Sequence, residues 1–188
     1  MSKLDTRSKI GKNGKYLFQN VIETILLKHG VQEKELGKEW YLKIGNKPYL
    51  DLVMEKCGSQ IFSGHYNRQN EDSISDPILV FDYNNGFWYP ELIEQRPLHF
   101  INGPYISGIT IVSKIDENGK RRVSPYNKDS FDSFQRMFAI NLINQGFMDD
   151  ETEVIDTEFP DPEQSIPTTI FNHKYQNTNM HQTTLFCF

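Results

Sequence analysis

Two hydrophobic periods divide this chain. Over residues 15–29, Leu17, Val21 and Ile25 recur with Phe18, Ile22 and Leu26 beside them, so the spacing predicts a helix with a wide apolar face. Gly30 stands where a left-handed residue ends such a helix. Residues 32–39 are polar and read as a loop or one helical turn. After them the period falls to two: Trp40, Leu42 and Ile44 alternate with Tyr41 and Lys43, Gly45-Asn46-Lys47-Pro48 breaks the run, and Leu50, Leu52 and Met54 resume it against Asp51, Val53 and Glu55. A hairpin-like strand pair follows.

The same period predicts strands at 60–66, 78–83 and 87–95, and the stretch from 61 to 95 organises the rest. Asn84-Asn85-Gly86 tolerates the positive φ that a tight hairpin needs, and Pro90 marks an edge position or a bulge. Residues 96–105 carry Pro97, Gly103 and Pro104 and read as a loop. A strand is expected at 106–115, a turn at Asp116-Glu117-Asn118-Gly119 and a returning segment at 121–127. Asp129 or Ser130 then caps a helix with Phe131, Phe134, Phe138 and Leu142 on one face and Gly146 at its end. Strands grouped between two helices, without βαβ alternation, give an α+β fold. It is an antiparallel sheet of about five to seven strands covered by an N-terminal and a C-terminal helix.

Composition sets the boundaries of this domain. The 188 residues suit one domain with a tail. Residues 1–14 form a basic leader with Lys3, Arg7, Lys9 and Lys12 against Asp5, and 15–147 form the domain. Residues 148–188 form an irregular tail, first acidic and then rich in Pro, Thr, Asn and Gln. From Asp149 to Glu163 the tail carries eight carboxylates and no basic residue. Its apolar residues Phe159, Phe171, Leu185, Phe186 and Phe188 are the candidate partner-binding positions, and the closing LFCF suits addition to a sheet edge. No run approaches the roughly 20 apolar residues of a membrane span, and the leader lacks a signal-peptide apolar core. No membrane association and a cytoplasmic location are therefore expected. Cys57 and Cys187, far apart in sequence, suit free thiols in a reducing compartment.

Candidate chemistry concentrates in His65, Gln69, Asn70, Asp72 and Asp76, with Arg68 and Glu71 among them. Neighbouring carboxylates can share a divalent cation, and a histidine can act as a base. A polar run between two strands is, however, also what a solvated turn looks like. Asp51, Glu55, His65, Asp72 and Asp76 together define the alternative reading, a metal-dependent enzyme acting on nucleic acid or nucleotides. Glu55 and Lys56 are adjacent and point to opposite strand faces, so they lack the one-residue spacing that such nucleases use. Tyr83, Phe87, Trp88 and Tyr89 offer stacking surfaces, but a pI near 5.5 argues against nucleic acid as a partner. No P-loop, G-x-G-x-x-G, G-x-S-x-G or H-E-x-x-H motif occurs. No cofactor is expected.

The segments YLKIGNKPYLDLVMEK, GHYNRQNEDSISDPILVF, FWYPELIEQ and FDSFQRMFAINLINQGF resemble a small bacterial domain family of unknown function. That family is frequent on phages, plasmids and conjugative elements. The resemblance runs from Tyr16 to Phe147 and marks Tyr41, Pro48, Tyr49, His65, Tyr66, Gln69, Asn70, Asp72, Asp76, Pro77 and Pro90. The family commonly has glycine where this chain has Glu71, which implies a changed or strained turn. It brings no established activity. A full-sized core with no assembled catalytic set, in that genetic context, leads to the expectation of a non-enzymatic accessory or interaction protein of a phage or other mobile element with a protein partner; a third reading, an acidic inhibitor of host defence, draws on the tail carboxylates.

Overall fold

A computed structural model of the chain describes residues 5–69, 72–95, 98–99, 105–106 and 108–159, with backbone alone at 67–69, 72–76, 98–99 and 105–106. The first periodic segment is α1 (Leu17–Lys28), and all six of its predicted apolar residues are buried. Gly30 takes φ 103°. The amide of Val31 donates back to the Leu26 carbonyl at 3.0 Å, closing the last turn. The N-terminus of α1 is satisfied from a distance. Tyr16 at the N-cap contributes no side-chain bond, and the Phe18 amide donates instead to Oε1 of Gln135 at 3.0 Å.

The strands are β1 (Trp40–Gly45), β2 (Leu52–Cys57), β3 (Gln60–Gln69), β4 (Asp72–Asn84), β5 (Phe87–Glu94), β6 (Leu98–His99), β7 (Tyr105–Ile106), β8 (Ile109–Ile111), β9 (Ser113–Ile115), β10 (Arg121–Val123) and β11 (Glu153–Glu158). Seven of them form one sheet in the order β11-β1-β2-β3-β4-β5-β8, and every neighbouring pair is antiparallel. β9 with β10 and β6 with β7 make two small ribbons. The second helix, α2 (Pro125–Asn144), packs with α1 on one sheet face. Phe81 is fully buried there among Phe18, Trp88 and Phe131, at ring-centroid distances of 6.0, 5.3 and 5.5 Å. Aromatic pairs of this kind add to the stabilisation from buried area.

The α+β architecture matches expectation, and the differences from it are local. The expected strand at 106–115 is broken at Val112. Its amide donates to the Glu91 carbonyl at 2.7 Å, and its carbonyl accepts from Ser124 at 2.9 Å. The chain thus leaves β5 at a bulge, where Val80 pairs with Leu92 but Phe81 with Pro90, and continues into a separate ribbon. This is the bulge that Pro90 foreshadows. α2 starts earlier than Asp129, because Ser124 caps it and Pro125 fits the first turn. The returning strand accordingly shortens to β10. Within the segment expected as an irregular tail, residues Glu153–Glu158 form a strand of the main sheet. Cys57, expected as a free thiol, is disulfide-bonded. Among the described residues, no helix is long and apolar enough to cross a membrane.

Candidate functional site: a polar hairpin and an acidic sheet edge

In the stretch expected to hold a turn between shorter strands, residues 67–69 and 72–76 are extended. β3 and β4 continue past their neighbours as a two-stranded arm, with Tyr66 paired to Ser75, Arg68 to Ser73 and Gln69 to Asp72. β2 reaches only as far as His65, and β5 only as far as Ile78. Gln69, Asp72 and Asp76 of the expected polar cluster therefore lie along this arm; Asn70 and Glu71 lie outside the described residues. At the root of the arm the register slips. Gly64 faces Ile78 and Tyr66 faces Ser75, so Asp76 and Pro77 together stand against His65. A Cβ at Gly64 would run into the Pro77 carbonyl oxygen and stand 2.9 Å from the Ile78 Cα. Glycine is what allows the two backbones to approach so closely.

His65 points to the helix-covered face. It is buried, its Nδ1 lies 3.0 Å from the Asp51 carbonyl oxygen, and its ring packs against Phe138 at 5.4 Å and Phe147 at 5.8 Å between centroids. Nearby, Asn46 donates to the Gln145 carbonyl at 2.6 Å, and Gly146 turns the chain at φ 76°. The Gly45-Asn46-Lys47-Pro48 break, His65 and the Gln145-Gly146-Phe147 terminus thus meet in one joint that fastens the end of α2 to the sheet. Glu55 lies on the opposite face, where its register neighbours are Tyr41 and Phe62. His65 and Glu55 therefore cannot share an ion. Among the described residues, no group of three His, Cys, Asp or Glu side chains is placed to hold a metal.

The other sheet face carries the charge. β11 is the last strand on its side, and all six of its residues are exposed. Glu158 pairs with Tyr41, Asp156 with Lys43 and Glu153 with Gly45. Lys43 Nζ bonds Asp51 at 3.1 Å. Burial raises the Tyr41 hydroxyl to a pKa of about 12, helped by the charges of Asp156, Glu55, Glu158 and Asp51. Burial likewise pushes Tyr66 upward, with Glu55 and Glu94 adding to the shift. The charges of four carboxylates thus bear on one tyrosine hydroxyl. The candidate partner residue Phe159, just after β11, is half-buried against the core. Phe171, Leu185, Phe186 and Phe188 lie outside the described residues.

Sequence reasoning missed a second polar group on this face. Arg121 of β10 bonds Asp82, donates to Ser113 Oγ at 2.8 Å, and stands 3.9 Å from Glu91 and 5.3 Å from the Tyr89 ring. Gln60 Nε2 donates to Glu91 at 2.7 Å. Asp82 and Glu91 interrupting otherwise apolar strands were its signal. Of the four aromatics near this hairpin, Trp88 is buried, Tyr83 half-buried under the Lys56 ammonium at 5.0 Å, and Phe87 and Tyr89 exposed.

These features define a small α+β protein whose sheet is covered by helices on one face and, among the described residues, ends in an acidic edge strand. Over residues 20–148 the chain matches a domain of unknown function (DUF6908), and it belongs to that family. No curated protein and no solved structure matches it.

Proposed function

We propose that this chain is a non-enzymatic accessory or interaction protein of a phage or other mobile genetic element, with the acidic segment from β11 onward as its partner-binding part. One observation carries the reading. The segment is rooted in the sheet as an edge strand whose six residues all face solvent, so a rigid domain presents it. The placement of His65 supports it, because the strongest single candidate for a base is taken up by packing under α2. The resemblance to a family frequent on mobile elements supplies the genetic context.

A tagged full-length chain, a chain lacking residues 160–188 and a full-length variant with Glu153→Lys, Asp156→Lys and Glu158→Lys test the reading. Each is used to recover partners from a bacterial lysate, with quantification by mass spectrometry. A specific partner retained by the full chain should be lost from one or both variants, provided their thermal melts match the parent. Equal recovery by all three overturns the assignment of partner binding to this segment.

A further inference from the structure

We infer that β11 is a docking edge for an extended, lysine- or arginine-bearing peptide segment of a partner protein, which adds to the sheet as an eighth strand. The inference rests on the interaction reading above and names the partner's chemistry. An edge strand offers a row of backbone donors and acceptors, and strand addition satisfies them. Among the described residues, β11 pairs with β1 alone. It also exposes Val154 and Ile155, at 45% and 46%, giving an incoming strand apolar contact on both faces of the ribbon.

Charge selects the occupant. Glu153, Asp156 and Glu158 are exposed along the strand, and across from them Lys43 is already engaged by Asp51. A basic partner strand places opposite charges across the new pair, which is favourable. A second copy of this chain is the wrong occupant, since pairing β11 with β11 sets carboxylates against carboxylates. Within the chain's own basic leader, Lys9 is held elsewhere: its carbonyl accepts from Leu17 at 3.2 Å and from Gln135 at 2.9 Å.

The probe is an eight-residue capped peptide of alternating lysine and valine, titrated into the full-length chain and followed by amide NMR and fluorescence anisotropy. The expected result is a set of amide shifts centred on residues 153–158, with affinity at least tenfold above that of the same peptide N-methylated at alternate residues. N-methylation keeps the charges but removes the backbone donors, so equal affinity of the two peptides overturns strand addition. A lysine-to-glutamate peptide that binds equally well overturns the charge argument. Peptide affinity that rises tenfold when residues 160–188 are deleted assigns the edge to the chain's own tail and overturns the partner assignment. A concentration-dependent dimer through β11 in sedimentation assigns it to a second copy and does the same. If the peptide does not bind but the lysate partner is still lost on deletion of 160–188, this inference fails while the interaction reading stands.

Discussion

The two faces of the sheet handle polar groups in opposite ways. On the helix-covered face His65 and Gln135 are buried among Phe138, Phe147 and Phe18, and their polar atoms are matched to backbone groups of distant segments. On the other face Tyr41, Lys43, Asp51 and the β11 carboxylates meet one another and solvent. A polar side chain under the helices fixes geometry, because leaving it unpaired there is costly. One along the exposed β11 edge sets the local potential, where water screens its cost. The difference separates the residues that hold the covered core from those that set the charge of the β11 edge.

The largest effect that sharpens this contrast lies under the helices. Phe81→Ala removes a fully buried ring touching both helices' aromatics and should cost about 3–5 kcal/mol in urea unfolding. A loss below about 1 kcal/mol breaks the account of the covered core. Gly64→Ala forces a Cβ onto the Pro77 carbonyl at the seam of the two faces, and overpacking of this kind costs about 1–3 kcal/mol. Amide exchange should rise first in β3 and β4; unchanged stability would show that the bulge does not depend on glycine. Gln135→Ala strips the remote cap from α1 and its bond to the Lys9 carbonyl, and an unsatisfied buried group costs about 1–3 kcal/mol.

Along the β11 edge the expected changes are in titration, with stability little altered. Asp156→Asn with Glu158→Gln removes two of the charges that raise Tyr41, so its ultraviolet ionisation midpoint should move down from about 12. A midpoint that stays put shows that those carboxylates do not reach the hydroxyl. The smallest effect concerns His29, whose Nε2 lies 3.1 Å from Thr152 Oγ1, and whose pKa is lowered by burial and then by Lys28. With the folded pKa below the unfolded 6.5, the unfolded chain takes up the proton first. Stability should be intact above 6.5 and decline as pH falls toward the folded value. The melting temperature of His29→Gln should depend less steeply on pH in that window.

Much of the fold was legible because periodicity reports burial directly. Leu17 to Leu26, the alternation through Trp40 to Ile44 and the Phe131, Phe138 and Leu142 stripe all bury as their spacing demands. The tail's strand was not legible, since Glu153–Glu158 is exposed on both faces and leaves no alternation to read. The polar cluster was legible as a cluster but not as an arm: strand pairing, not side-chain pattern, extends β3 and β4 beyond the sheet. The Arg121, Asp82 and Glu91 group was hidden because its members are joined only when β10 folds over β4 and β5.

By itself, then, the sequence determined the two helices, the central strands and the apolar face each turns to the helices, since these follow from local spacing and from water's exclusion of apolar surface. Only the tertiary structure decided that His65 belongs to the helix-covered face and Glu55, also buried, to the opposite one, and that Gln135 caps a helix 117 residues away. It alone decided that β11 closes one end of the sheet with its carboxylates outward. Hydrogen bonds between distant segments depend on register and on which surfaces meet, and neither is written in any local pattern.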